Sequence, residues 1–104
     1  MTPADALQAL ARSGKEFIER FRHGSLVVEI YRPRQVDRQQ PHTRDEIYVI
    51  TSGAGWFVKA GGRHPFVPGE VLFAPAGVEH RFEDFTDDFA TWVFFYGPEG
   101  GEAK

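Results

Sequence analysis

Two separated stretches decide how this chain folds: His42-Thr-Arg-Asp-Glu46, running on to Gly53, and Gly69-Glu-Val-Leu-Phe-Ala-Pro75-Ala-Gly77-Val-Glu-His80. Both are set among short runs rich in Val, Ile, Phe and Tyr and punctuated by Gly and Pro, the pattern of strands joined by tight turns. Between them they supply two imidazoles and one carboxylate. That is the smallest ligand set from which a protein makes an open transition-metal site, provided the two stretches meet in space.

Composition sets the frame around them. A chain of 104 residues is about one domain with one modest core. Apolar residues make up 41%, including ten Phe, two Trp and three Tyr, which is too hydrophobic for disorder and suits a β core. There is no Cys, so no disulfide staples the fold, and metal ligation falls to His, Asp, Glu and neutral oxygens. The formal net charge is −3 and the basic residues are scattered, which argues against a nucleic-acid partner. Met1-Thr-Pro-Ala-Asp-Ala-Leu7 does not read as a secretory signal, and no apolar run approaches the roughly 18 residues that span a bilayer. A soluble cytoplasmic protein, without membrane partners, is the expectation.

Near the N-terminus, Thr2 can cap a helix with Pro3 at its first position; Leu7, Leu10 and Ala11 recur at helical spacing, and Gly14 can close it. Beyond that point the helical period disappears. Strands are expected near Phe17–Phe21, Leu26–Tyr31, Ile47–Ile50, Trp56–Lys59, Val71–Phe73, His80–Phe85 and Ala90–Tyr96. Gly61-Gly62, between Trp56–Ala60 and Arg63–Val67, signals a two-residue hairpin turn. No second helix-length segment is available for parallel crossovers. The fold class is therefore all-β with a short N-terminal helix, an antiparallel sandwich or barrel of the jelly-roll kind. The division is a helix over 1–15, a barrel over 16–97 and a polar, frayed tail over 98–104.

At this point the chain resembles the cupins, small jelly-roll barrels defined by two short motifs on either side of a hairpin. Their first motif ends in His, three or four residues, Glu, six residues and Gly, which His42, Glu46 and Gly53 match. Their second is Gly, five residues, Pro, one, Gly, two, His, three, Asn; Gly69, Pro75, Gly77 and His80 match it, and Asp84 stands in for the Asn. The two motifs span about Gln40 to Asp84. The resemblance implies ligation of one divalent metal, Fe, Mn, Ni, Co or Zn, by His42, Glu46 and His80. Gln40 occupies the place of a further His of the usual motif and offers at most a neutral amide oxygen.

A straight strand would hold the Cα atoms of His42 and Glu46 about 13 Å apart, so the chain must bend between them. Pro41, Thr43 and Asp45 suit such a turn. Glu46 is followed by Ile47-Tyr-Val-Ile50 and so enters a buried strand, where an unpaired carboxylate is costly. Tyr48 and Phe82, two positions from proposed ligands, are expected to line the pocket, as are Trp92 and Phe94 on the last strand, although core filling is the simpler role for these two. His64, just past the hairpin tip, reads as exposed and His23 as a turn residue; Arg44 reads as a surface ion-pair partner of Asp45 or Asp84 ahead of a contact to an anionic substrate.

A metal-dependent dioxygenase acting on a small enol, diol or hydroxy acid is the leading expectation for function. A non-catalytic small-ligand binding module or sensor, and a metal-dependent isomerase, are the alternatives. A homodimer is expected, since small barrels rich in aromatics commonly pair through sheet edges.

Overall fold

A computed structural model describes residues 1–103. Helix α1 (Pro3–Ser13) begins as the sequence predicts: the Thr2 hydroxyl accepts from the Asp5 N–H at 3.1 Å and Pro3 opens the first turn. Gly14, at φ 71°, closes it in the left-handed conformation. Ala6 and Leu10 are buried against Ile30, so the helix covers the outer face of the barrel and lies away from its interior.

Eight strands follow: β1 (Phe17–His23), β2 (Leu26–Tyr31), β3 (Asp45–Ser52), β4 (Gly55–Lys59), β5 (Gly62–Phe66), β6 (Val71–Ala74), β7 (His80–Glu83) and β8 (Ala90–Tyr96). They form a five-stranded sheet in the order β1-β2-β8-β3-β6 and a three-stranded sheet in the order β5-β4-β7, every pairing antiparallel. This is the expected all-β antiparallel barrel with one short helix. Its interior is packed with Tyr48, Ile50, Phe57, Phe66, Leu72, Phe82, Phe89 and Val93. The aromatic rings meet edge-on or tilted, Tyr48 against Phe82 at 4.9 Å and Phe82 against Phe89 at 4.7 Å between centroids.

Several local expectations shift. The hairpin turn is Ala60-Gly61 instead of Gly61-Gly62: Lys59 pairs with Gly62, and both turn residues have positive φ, 50° and 82°. Strand β7 stops at Glu83 because Asp84 turns into the left-handed region at φ 50°, a conformation that Asp and Asn tolerate better than most residues. The tail is not frayed through its length. The Gly100 N–H donates to the Thr43 carbonyl at 2.6 Å and the Glu102 N–H to Asp45 Oδ2 at 2.8 Å, so it is fastened to the loop that precedes β3. Lys104, the last residue of that predicted tail, lies outside the described residues.

Gly53 shows why the first motif ends in glycine. Its φ is 84°, and an added Cβ would lie 2.5 Å from the Phe89 Cα, so neither the conformation nor the space admits a side chain. No helix among the described residues is long and apolar enough to cross a membrane.

Candidate metal centre

The loop before β3 and the turn before β7 are stitched together by backbone hydrogen bonds. The Gly77 N–H donates to the His42 carbonyl at 2.7 Å, with Gly77 at φ 76°. Asp45 accepts from the Ala76 N–H at 3.0 Å with one carboxylate oxygen and from the Glu102 N–H with the other. These donors hold the Asp45 carboxyl below its usual pKa. The predicted bend falls at Thr43-Arg44, after which the chain becomes β3 and Glu46 is its first inward residue. His80 opens β7 from the opposite sheet.

The three predicted ligands converge. Glu46 Oε2 lies 3.1 Å from His80 Nε2 and 3.7 Å from His42 Nε2, and one ligand atom from each residue falls within 4.8 Å of the other two. Glu46 and His80 are buried, and His42 is partly exposed. Although the imidazoles stand within ion-pair range, neither oxygen of Glu46 has a hydrogen-bond partner among the described residues. An orphaned, buried carboxylate between two imidazoles fits a cation.

His80 is oriented for that role. Its Nδ1–H donates to the Val78 carbonyl at 2.9 Å, which leaves Nε2 facing Glu46. Burial works against the charged imidazole, but the Glu46 carboxylate and the Val78 carbonyl outweigh it and raise its pKa above the ordinary value. The Tyr48 hydroxyl stands 2.9 Å from His80 Nε2 and donates to Gln39 Oε1 at 3.0 Å. Burial, reinforced by the charge of Glu46, keeps the Tyr48 hydroxyl protonated well above its usual range.

Gln40 is exposed, and the amide that reaches the site belongs to Gln39, whose Oε1 also lies 3.4 Å from His42 Nε2. Gln39 is held in turn by Asp37. That buried carboxylate accepts from the Gln39 side chain at 2.8 Å, the Tyr31 hydroxyl at 2.6 Å and the Phe82 N–H at 2.8 Å. Nothing in the polar run Asp37-Arg-Gln-Gln-Pro41 distinguishes these residues from an ordinary loop. Glu29 was legible in principle, because it interrupts the apolar run Leu26–Tyr31 as Glu46 precedes its own.

His42 and Glu46, but not His80, open onto a cavity of about 410 Å³, lined in part by Glu29, Tyr31, Arg38, Gln39, Val93 and Phe95. Trp92 and Phe94 belong to the other face of β8: Trp92 packs beneath α1, and the two-residue period sends Val93 and Phe95 inward. Phe82 fills the core behind Tyr48, and Tyr48 meets His80 with its hydroxyl and with its ring at 5.9 Å between centroids; neither residue lines the cavity. Arg44 donates to the Ser25 carbonyl instead of pairing with Asp45 or Asp84, and Asp84 is bound by Arg63 at 2.6 Å. His64 is exposed and pairs with Glu70, and His23 is the exposed last residue of β1.

Comparison with known proteins agrees with this architecture. Over 63 residues the chain is 35% identical to an uncharacterized protein of Streptomyces coelicolor, a match covering 61% of this chain and 60% of that one. A protein of unknown function from Rhizobium leguminosarum superposes with a TM-score of 0.69 over 94% of this chain and 95% of its own, at 20% identity. The DMSP lyase DddQ from Ruegeria pomeroyi superposes with a TM-score of 0.61 at 28% identity, over 72% of this chain and 40% of its own. Residues 27–96, which contain all three predicted ligands and both motifs, match the Cupin domain family, and the chain belongs to it.

Proposed function

We propose that this protein is an enzyme in which His42, Glu46 and His80 hold one divalent ion and a small, oxygen-rich organic acid enters the adjoining cavity. The observation that supports this reading above all is the Glu46 carboxylate, buried, without a hydrogen-bond donor, and faced by two imidazole nitrogens. Fe, Mn, Ni, Co and Zn all suit such a set. When bound, the ion would act as a Lewis acid on a carbonyl or hydroxyl oxygen of the substrate. The chain's own residues would do the rest: Tyr48 and Gln39 offer polar contacts beside the ligands, and Arg38 offers a positive charge at the cavity wall.

Between the dioxygenase and the non-oxidative alternatives, a second carboxyl in the cavity, Glu29, favours proton transfer of the isomerase or lyase kind. Its likeness to a lyase, DddQ, supports the same choice. Elemental analysis of the purified protein and of His80→Ala tests the centre; the expected result is about one ion per wild-type chain and almost none in the variant. Oxygen uptake by the iron-loaded protein with diketones and hydroxy acids tests the reaction class. Stoichiometric uptake would overturn the non-oxidative reading.

A homodimer is part of the same proposal. Phe17 and Phe21 on edge strand β1, and Val71 and Phe73 on edge strand β6, are exposed apolar side chains of the kind that sheet-edge pairing covers. Light scattering at the mass of one chain would end this idea.

A further inference from the structure

Glu29 lies in the middle of β2 on the inward row Val27, Glu29, Tyr31, opposite Val93 on β8 and Glu19 on β1. Glu46 flanks β8 from the other side, opposite Phe95. Two strand spacings and one two-residue step put the Cα atoms of Glu29 and Glu46 about 12 Å apart in a flat sheet. Both side chains line the same cavity, with Val93 and Phe95 on the wall between them. The space left is that of one small molecule.

Glu29 has none of the compensation given to the other inward acids. Asp37 accepts four hydrogen bonds, and Glu46 faces two imidazoles. Arg22, the cation that acts on the charge of Glu29, is itself bonded to Glu19 at 2.6 Å. In the metal-free protein burial, the largest cause, and then the charges of Glu46 and Glu19 push the Glu29 carboxyl up to about 7, and the burial remains when an ion sits on Glu46. The remaining charged or titratable groups lining this cavity are Glu16, Tyr31, His42 and Arg38. Arg38 is exposed and has no ion pair with a described acid, which leaves its guanidinium free for a ligand carboxylate.

We propose that Glu29 is the acid–base catalytic residue of this cavity and that its substrate is a small 2-oxo acid. Arg38 holds the carboxylate, and the carbonyl oxygen points toward His42, Glu46 and His80. The inference rests on the metal centre proposed above. A Glu29 oxygen takes the proton from the carbon next to the carbonyl. The electron pair of that C–H bond becomes the C=C bond of the enolate, and the negative charge settles on the carbonyl oxygen. Glu29 then returns a proton to carbon, so no electron enters or leaves and no oxidant is needed.

The test is exchange of the C3 protons of pyruvate, 2-oxobutanoate and 2-oxoglutarate in D2O, followed by proton NMR with the full zinc-loaded chain. Zinc content and ligand affinity are measured for every variant. The wild type exchanges at least one probe. Glu29→Gln slows that exchange by about 100-fold or more while its Kd stays within about threefold, and Glu29→Asp recovers part of the rate. Arg38→Ala weakens binding about tenfold or more. Exchange at the wild-type rate in fully loaded Glu29→Gln overturns the role of Glu29 alone. No exchange of any probe by the zinc-loaded wild type overturns it as well, and unchanged affinity in Arg38→Ala overturns the substrate class. A wild type that retains no zinc sinks the metal centre and this inference with it.

Discussion

Glu46 Oε2 and His80 Nε2 face each other at 3.1 Å, both side chains buried, one from each sheet of the barrel. Without metal, a proton on the imidazole is the nearest available counter-charge for the carboxylate. With metal, that proton must leave.

Metal affinity is therefore expected to rise with pH. The His80 pKa is raised above 6.5, so the imidazolium contribution to the stability of the metal-free protein is fully present below about 6.5 and is lost as pH rises through the raised folded value. Over that window metal affinity gains up to about tenfold per pH unit, since one proton is displaced. Competition titration against a chelator from pH 5.5 to 8.5 measures the slope. An affinity independent of pH would show that His80 is not a ligand.

Asp37 fastens Tyr31, Gln39 and Phe82 of β7 to one carboxylate. Asp37→Ala strands these donors in a buried place and is expected to cost about 2–4 kcal/mol, seen as a lower denaturant midpoint. With Gln39 released beside His42, metal affinity falls about tenfold or more. Loss of stability without loss of affinity would confine Asp37 to the fold.

Glu29 sets a second pH dependence. Its folded pKa of about 7 exceeds the ordinary 4.5, so the folded state binds more protons, and the stability this contributes falls as pH rises from about 4.5 to about 7. Glu29→Gln removes this term. In the metal-free protein, the difference in Tm between Glu29→Gln and wild type is expected to grow in favour of the variant from pH 5 to pH 7.5 and then level off. Thermal melts across that range read it directly.

Gly53→Ala would place a methyl group against the Phe89 backbone at a φ of 84°. The clash and the left-handed backbone together are expected to cost about 3 kcal/mol or more. Gly69→Ala meets no atom within 4 Å and carries only the backbone cost, about 1 kcal/mol. Denaturant unfolding of the two variants separates the terms.

The helix, the strand positions and the convergence of the three candidate ligands were legible because each is written in local chemistry: a cap and a closing glycine, two-residue alternation, and fixed spacing between His42, Glu46, Gly69, Pro75 and His80. The face of β8 was not. Val, Phe and Trp suit either side of a strand whose outer face is covered by a helix, so alternation alone could not tell Trp92 and Phe94 from Val93 and Phe95. Gln39 and Gln40 were likewise indistinguishable, because only a side chain's direction out of an irregular loop separates them.

An antiparallel barrel, and the two imidazoles and one carboxylate that could meet in it, are written along the chain, since strand periodicity and turn chemistry act within a few residues. Their surroundings come from the three-dimensional fold. It placed Asp37, Gln39 and Glu29 around the ligands, turned Trp92 away, and tied Gly100 and Glu102 to the loop of His42. Those relations depend on strand register and on loops crossing from one sheet to the other, and such long-range geometry leaves no periodic trace along the chain.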